Sequence, residues 1–305
     1  MAKLPLYAAG ITATFTTLLI AAAAEDAALL KQAQGIFQPL PKHMATAEFP
    51  ITRERVELGR SLFFDPRLPD EKAVIDRLAR IPGYAPLFKA AFPDEPQPMT
   101  LRNIATAVGA YERMLVTPSP FDAYLAGNQE ALPPAAKAGL EKFINTGCVA
   151  CHNGVGVGGG MYQKFGVVED YWKATGSDPI DKGRFDVTKD PNDLYVFRVA
   201  SLRNVAMTPP YFHDGSVATL PEAVKVMARV QLGVNLDDAD IRDIVAFLQS
   251  LTGELPANFA TAPVLPSGAV CRRMTGCRGL ITRTRPRRPR YSILMPTTDA
   301  SEKLC

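Results

Sequence analysis

Histidine, tryptophan and cysteine are scarce in this sequence. Its 305 residues include only three histidines, one tryptophan and five cysteines. So few cysteines in so long a chain exclude a small disulfide-rich domain. Hydrophobic residues make up 47% of the chain and charged residues 21%. This composition is typical of a folded globular protein, and it excludes a wholly disordered chain and a membrane protein with many spans.

Neither sign of charge dominates, and the formal net charge is +3. Residues 257–305 nevertheless contain nine basic and two acidic side chains, whereas residues 1–256 contain 25 and 29. A mildly acidic main part argues against a nucleic-acid partner. The basic tail over 257–305 lacks hydrophobic periodicity and is predicted to be disordered. Its cysteines, Cys271, Cys277 and Cys305, have a spacing that fits no familiar metal site.

The N-terminus is typical of a secretory signal peptide over residues 1–24. Lys3 precedes an apolar run that ends in small residues before the acidic Glu25. An uncleaved membrane anchor is the alternative, because the run is almost long enough to span a bilayer. Several threonines make the run only moderately apolar, so we favour cleavage near Ala24 and export.

Apolar residues recur at helical spacing, and they predict a mainly α-helical protein. Amphipathic stripes run from Leu101 to Leu115 and from Ile241 to Leu251, and further helices are predicted over 70–80, 134–145 and 221–231. Residues 154–211 are predicted to form long loops with a short strand pair around Tyr195 to Val199. Regular alternation of strand and helix is missing, which argues against a doubly wound α/β sheet. We also find no internal repeat.

One motif is strong: Cys148-Val149-Ala150-Cys151-His152 has the C-x-x-C-H pattern of c-type haem attachment. Two thiols three residues apart on a helical turn can each form a thioether with a haem vinyl group, and the adjacent imidazole can then bind the iron. The alternatives are a disulfide between the two cysteines, or half of a zinc site that would also have to use His43 and His213. Haem explains all five positions, so we favour it.

The second axial ligand of the iron is less certain from sequence. A methionine thioether in that position favours an electron carrier, whereas an open position allows ligand activation. Met227 lies on the predicted helix 221–231 and is the best candidate. Met161 and Met207 are nearly as eligible by spacing, and a core role for Met227 is the simpler alternative.

A set of short motifs resembles the bacterial di-haem cytochrome c peroxidase family, to which the di-haem methylamine-utilisation enzymes are related. These motifs are Leu58–Leu68 (LGRSLFFDPRL), Ile81–Tyr84, Gly147–Gly154, Leu202–Val205, Tyr211–Ser216 and Ile244–Leu248. The resemblance implies a periplasmic protein of cytochrome-c-like domains that reduces hydrogen peroxide. It also implies a small redox donor, cytochrome c or cupredoxin-like, and a possible homodimer. Met227 is then the distal ligand of the electron-transferring haem.

The chain departs from the family in carrying one C-x-x-C-H motif where members carry two. Leu68 is followed directly by Pro69, and a segment of about 80 residues, too long for a change of loop length, is missing at this point. In the family that segment holds the peroxidatic haem. We therefore expect one haem c, a truncated second cytochrome-c-like domain over 25–80 and a cytochrome c haem domain over 81–256.

Two further sites can be considered, the first of which is implied by the resemblance. Family members bind calcium partly through backbone carbonyls that correspond to Thr208 and Pro210. With the missing segment gone, we expect weak binding, because calcium takes six to eight oxygen ligands. Arg203 is a candidate contact for a haem propionate, and a surface role is equally compatible with the sequence.

The sequence thus favours a c-type haem protein that transfers electrons toward hydrogen peroxide reduction. A haem with both axial positions filled is a poor site for peroxide cleavage, which needs a free position on the iron, a proton-transferring group and a second electron. The alternative function is a mono-haem electron carrier without peroxidase turnover. A third possibility is an impaired pseudo-enzyme that arose from an altered reading frame.

Overall fold

The computed structural model describes residues 9–68, 73–256, 259 and 261–267, with side chains from residue 23 onward. The fold is mainly helical, as predicted. The α-helices are α1 (Ala9–Ile36), α2 (Arg53–Phe64), α3 (Val74–Ala79), α4 (Tyr84–Ala91), α5 (Leu101–Glu112), α6 (Pro120–Leu125), α7 (Pro134–Asn145), α8 (Tyr171–Thr175), α9 (Phe185–Thr188), α10 (Leu220–Leu232) and α11 (Asp238–Gln249). A two-stranded antiparallel sheet pairs β1 (Tyr162–Lys164) with β2 (Val196–Arg198).

The predicted signal peptide corresponds to the first part of α1, which continues past Ala24 without a break. Within the described residues, no helix is both long enough and apolar enough to cross a bilayer. Most of the predicted disordered tail, including its three cysteines, lies outside the described residues.

The described residues form two compact units. Unit 1 consists of the residues up to Leu40 together with Pro118–Glu254, and unit 2 consists of Pro41–Thr117 together with the residues from Leu255 onward. These boundaries differ from the expected one between residues 80 and 81. Residues 81–117 belong with unit 2 because α4 and α5 pack on α2, and Tyr84 and Phe88 share a buried core with Leu58.

The segment after the predicted cleavage point also differs from expectation, because it belongs to unit 1. Ala33 and Phe37 are fully buried in the unit 1 core, and the Phe37 ring meets Phe121 edge to face at 5.3 Å between centroids. Gln34 Nε2 also donates to the carbonyl of Leu125 at 2.9 Å. The end of α1 is therefore part of the C-terminal unit rather than of a separate N-terminal domain.

Unit 1 is organised around the crossing of α7 and α11. Gly139 lies at the crossing, and a Cβ atom there would lie 1.8 Å from the carbonyl oxygen of Asp243. Only a residue without a side chain permits so close an approach. Four residues after each crossing point, the rings of Phe143 and Phe247 meet at 5.2 Å between centroids. This contact belongs to the main core of the unit.

Unit 2 repeats this arrangement in α2 and α5. A Cβ atom on Gly59 would lie 1.9 Å from the carbonyl oxygen of Ala107. Again four residues later, the rings of Phe63 and Tyr111 meet at 5.4 Å. The two units therefore share a helix-crossing geometry. The sequence did not reveal it, because the two helix pairs have little more in common than a glycine and an aromatic side chain.

A buried ionic network follows α2 in unit 2. Asp65 accepts two hydrogen bonds from the guanidinium of Arg67, at 2.8 and 2.7 Å, and one from the Tyr84 hydroxyl at 2.7 Å. Burial alone would raise the pKa of Asp65, but these hydrogen bonds outweigh burial and lower it. Asp65 is therefore an ionised carboxylate that fixes the chain leaving α2 against the start of α4.

The crossing glycine yields a stability prediction for unit 1. We expect Gly139→Ala to destabilise the protein by about 1–3 kcal/mol or more, because the added methyl group meets backbone and the helices must separate. Gly35→Ala is the matched control. It lies in α1 with nothing within 4 Å of an added Cβ atom, and helix propensity favours alanine there by roughly 0.5–1 kcal/mol. Chemical denaturation of both variants measures the difference, and equal stabilities would contradict the proposed close crossing.

Candidate haem-attachment site

The C-x-x-C-H motif forms a tight turn directly after α7. Gly147 has a φ of 97°, a left-handed conformation that turns the chain sharply away from the helix axis. A 3₁₀ turn over Cys148–Ala150 follows, and the amide nitrogens of Cys151 and His152 both donate to the carbonyl of Cys148, at 3.3 and 3.0 Å. In a 3₁₀ turn, side chains three residues apart lie nearly above one another. The backbone therefore brings the two cysteine side chains to the same side of the turn.

Both cysteines are free thiols and partly buried. The disulfide considered from the sequence is therefore not formed in this structure. The pKa of Cys148 is raised to about 11, mainly by burial; a local backbone hydrogen bond opposes this rise and nearby Cys151 adds a smaller increase. Cys148 is thus a neutral thiol at physiological pH. The zinc alternative also lacks ligands, because the described residues contain no cluster of three or more His, Cys, Asp or Glu side chains suited to a metal ion.

His152 has a buried ring nitrogen without a hydrogen-bond partner, the Nδ1 atom. Burial lowers the pKa of this imidazole, and the nearby carbonyls of Val157 and Ala200 offset only part of that effect. His152 is consequently neutral, which is the protonation state that binds metal ions. Its ring lies 6.3 Å from the ring of Phe143, on the preceding helix α7.

The glycine-rich loop over residues 154–159 packs against His152. Gly158 has a φ of +105°, and a Cβ atom there would lie 2.9 Å from Nδ1 of His152 and 2.6 Å from the carbonyl oxygen of Ala200. A side chain at this position would push against the imidazole. The loop is further held by the Ser201 hydroxyl, which donates to the carbonyl of Gly156 at 2.8 Å.

Arg203 is buried, so the surface role considered from the sequence is wrong. Its Nη1 atom lies 2.6 Å from Oδ2 of Asp122, and the two side chains are only 8% and 9% exposed. Its Nε atom donates to the carbonyl of Val155 in the glycine-rich loop at 3.1 Å. The remaining Nη2 atom is buried and has no hydrogen-bond partner.

The structure distinguishes the three methionines considered as axial ligands. Met161 and Met207 are 39% and 49% exposed. Met227 lies on α10 and is half-buried. It is not among the side chains that pack against the core of unit 1, although its neighbour Val226 is. Among the described methionines of unit 1, Met227 is therefore the least exposed, and it is not one of the side chains that pack against the core.

The possible calcium ligands and His213 lie in the loops that precede α10. Thr208 and Pro210 are both exposed, and the peptide bond between Pro209 and Pro210 is cis. His213 stacks on Phe197 at 4.4 Å between centroids, with its Nε2 atom 3.7 Å from Asp181. These contacts give His213 a packing role away from the C-x-x-C-H turn.

The donor set of unit 1 fits haem c. Two free thiols, a neutral imidazole and a half-buried thioether are the kinds of group that attach haem c and bind its iron. Two of the buried polar atoms without partners, Nδ1 of His152 and Nη2 of Arg203, belong to this region. Sequence reasoning missed Asp122 and the contact made by Gly158. The Ser-Pro-Phe-Asp sequence at 119–122 signals a helix cap and gives no sign of a bond to residue 203.

Gly158 provides a test of this arrangement. We expect Gly158→Ala to destabilise unit 1 by about 1–3 kcal/mol from backbone strain alone, with a further loss because the methyl group displaces His152. Gly160→Ala should be close to neutral, because nothing lies within 4 Å of an added Cβ atom and its φ is ordinary. Thermal unfolding of the two variants measures the effect. Similar melting temperatures would rule out the close contact with the imidazole.

Comparisons with known proteins identify the family of this chain. The model of the family described as di-haem cytochrome c peroxidase matches residues 69–130. The cytochrome c551 peroxidase of Pseudomonas aeruginosa is 36% identical over 319 residues, which cover 80% of this chain and 91% of that protein. The cytochrome c peroxidase Ccp of Escherichia coli is 40% identical over 183 residues, and these cover 59% of this chain and 38% of that protein.

A similar result comes from the MauG proteins. The methylamine utilization protein MauG of Methylorubrum extorquens is 32% identical over 206 residues, covering 63% of this chain and 55% of that protein. The crystal structure of a MauG-like protein associated with microbial copper homeostasis shares the fold, with a TM-score of 0.60 at 23% identity, over 73% of this chain and 97% of that chain. By its similarity to the Pseudomonas protein across nearly the whole of that relative, the chain belongs to the di-haem cytochrome c peroxidase family.

Proposed function

We propose that this protein is a periplasmic c-type haem protein that passes electrons from a small redox donor protein toward the reduction of hydrogen peroxide. The observation that carries the proposal is the turn over 147–152, which combines two free thiols with a neutral imidazole. The donor would be a cytochrome c or a cupredoxin-like protein, as the family resemblance implies. The same resemblance supports export by a cleaved signal peptide and a possible homodimer.

Each residue of the site has a distinct task in this proposal. Cys148 and Cys151 would hold haem c through thioether bonds, and His152 and Met227 would fill the two axial positions of its iron. When bound, the haem supplies one-electron oxidation and reduction at low reorganisation cost. Gly158 keeps the imidazole of His152 in place, while Phe143 and the surrounding core exclude water from one side of it.

Unit 2 is, in this proposal, the remnant of a second cytochrome-c-like domain. Its α2 and α5 cross through a glycine, as α7 and α11 do in unit 1. The alignment with the Pseudomonas protein supports the loss of a segment. The alignment extends over 319 positions. It includes 80% of this 305-residue chain, which is about 244 residues. About 75 positions of the alignment are therefore filled only by the Pseudomonas protein. The chain carries one C-x-x-C-H motif, and the loss of such a segment would account for the absence of a second.

Calcium remains a secondary part of the proposal. The carbonyls of Thr208 and Pro210 would supply two oxygens, well below the six to eight that calcium prefers. We therefore expect weak binding that depends on water or on further ligands. Isothermal titration with calcium measures the affinity directly.

Haem stoichiometry tests the attachment site. Protein matured with a c-type haem attachment system should contain one covalent haem per chain in a pyridine haemochrome assay. Replacing both Cys148 and Cys151 with serine should abolish the haem that survives denaturing electrophoresis. Two haems per chain would contradict the single site, and no covalent haem in the unmodified chain would refute the proposed function.

Met227 can be tested separately from haem attachment. Met227→Leu keeps the side-chain volume and removes the sulfur. We expect loss of the absorption band that marks sulfur ligation of ferric haem and a lower reduction potential, because a Met ligand raises the potential. Met207→Leu changes an exposed methionine and should leave both properties unchanged. An unaltered spectrum in Met227→Leu would remove this residue from the iron.

Peroxide turnover distinguishes an enzyme from a carrier. Reduction of one hydrogen peroxide to two waters consumes two electrons and two protons, so two molecules of reduced cytochrome c are oxidised for each peroxide. A chain whose single haem has both axial positions filled should reduce peroxide slowly, because this haem stores one electron and offers no free position on the iron. Measurable peroxide-dependent oxidation of reduced cytochrome c supports the peroxidase function. Rapid electron exchange without peroxide consumption supports the carrier instead.

A further inference from the structure

Asp122 is the centre of a buried hydrogen-bond network in unit 1. Its Oδ1 atom accepts from the amide of Leu40 at 2.7 Å. Its Oδ2 atom accepts from the amide of Ser119 at 2.8 Å, the Ser119 hydroxyl at 2.7 Å and Nη1 of Arg203 at 2.6 Å. Burial by itself would raise the pKa of Asp122, but the hydrogen bonds from Arg203, Ser119 and Leu40 outweigh it and lower the pKa. Asp122 is therefore an ionised carboxylate, and the groups that donate hydrogen bonds to it hold its side chain in one orientation.

Asp122 fixes the orientation of Arg203 through this network. One guanidinium nitrogen binds Asp122, and a second binds the carbonyl of Val155, three residues after His152 in the chain. Because the guanidinium is planar and rigid, two fixed nitrogens determine the direction of the third. That third nitrogen, Nη2, is buried without an acceptor.

An unpaired buried donor on a permanent cation is costly, which indicates that an acceptor normally occupies this position. A buried donor left without a partner costs about 1–3 kcal/mol, and more when the group is charged. Arginine cannot relieve that cost by losing its proton. A carboxylate is the acceptor that matches a guanidinium best. The described side chains leave this nitrogen without a partner, and a carboxylate of a bound group is an acceptor that would satisfy it.

We infer that Asp122 is a positioning residue that orients Arg203 so that Nη2 donates a hydrogen bond to a carboxylate of the bound haem. The inference rests on the proposed function, because haem c supplies the carboxylate. Arg203 is linked to the loop that holds His152 through Val155. The network therefore connects the end of α1, the start of α6 and the loop after the attachment motif to one acidic group of the cofactor.

This arrangement has an electrostatic consequence. A guanidinium beside a carboxylate stabilises its charged form and lowers its pKa. With Arg203 in place, the haem carboxylate stays ionised through the neutral range, and the reduction potential is independent of pH there. Without it, the carboxylate titrates closer to neutrality. Since the ferric haem carries one more positive charge and favours the ionised carboxylate, the potential should then fall as the pH rises.

The experiment compares the midpoint potential against pH in the haem-loaded protein and three single variants. Arg203→Gln removes the donor, and Asp122→Asn removes the positioning charge while keeping the side-chain shape. Arg198→Gln is the matched control, because Arg198 is exposed and donates its Nε atom to the carbonyl of Gly159 in the same loop at 3.1 Å. Haem content by pyridine haemochrome accompanies every measurement.

We expect the unmodified protein and Arg198→Gln to show a potential that is flat across neutral pH. Arg203→Gln should have a lower potential that depends on pH, and Asp122→Asn should also acquire a pH dependence. If Asp122 acts through Arg203, the double variant should be no more pH-dependent than Arg203→Gln. An additive effect would contradict the positioning role.

Two further results separate the inference from the proposed function. Full haem content with a flat potential in Arg203→Gln would overturn the inference and leave the proposed function intact. Absence of covalent haem from the unmodified protein would refute the proposed function itself. If Arg203→Gln fails to mature, the shape-conserving Asp122→Asn decides the question by the same measurement, and a flat potential in it would overturn the inference.

Discussion

The close crossing of α7 and α11 determines where the candidate site lies. Because Gly139 has no side chain, the backbone of α7 lies against the carbonyl of Asp243. This contact fixes the position at which α7 ends, only a few residues before the C-x-x-C-H turn. The left-handed Gly147 then redirects the chain, so the cysteines follow at a set distance from the core. A displacement of the crossing would move every group of the site, whereas a change in the outer loops would leave the turn in place.

The second crossing gives unit 2 a helix pair of the same kind as the pair in unit 1. In α2 and α5 the glycine contact is preserved, and the ionic network of Asp65, Arg67 and Tyr84 follows directly after α2. The aromatic residue after the crossing shows the difference between the units. Phe143 is 3% exposed in unit 1, whereas the corresponding Phe63 in unit 2 is 47% exposed. The helix pair is therefore present in both units, but the aromatic side chain after the crossing is far more exposed in unit 2 than in unit 1.

Features that depend on neighbouring residues were predictable from the sequence. The helix predicted over 134–145 coincides with α7, and the helix predicted over 221–231 is present as α10. The predicted strand pair near 195–199 is present as β2, although its partner β1 was not identified. The two cysteines and the histidine of the motif could be singled out from the sequence because all three lie within five positions.

Features that depend on distant residues were not predictable. Phe37 belongs to unit 1 because it packs on Phe121, and no local pattern shows which core a buried phenylalanine joins. The domain boundary was misplaced for the same reason. Asp122 looks like an ordinary helix-capping residue in sequence, and its bond to Arg203 connects positions 81 residues apart. The crossing geometry that the two units share also escaped detection, because helix crossings require a small residue at one point and leave the others free to vary.

The pairing of Asp122 with Arg203 is better understood as a device for orientation than as a source of stability. Removing two charges from water costs several kcal/mol for each ion, and their mutual attraction often does no more than offset that cost. An apolar pair of similar size would hold α6 against the loop equally well. An apolar pair cannot provide a rigid cation beside the loop that holds His152. Nor can it leave one donor nitrogen unpaired and held in a fixed direction. The hydrogen bonds that Leu40 and Ser119 donate to Asp122, and the one that the carbonyl of Val155 accepts from Arg203, fix that direction. A fixed direction is the property that a charged group of a cofactor would require.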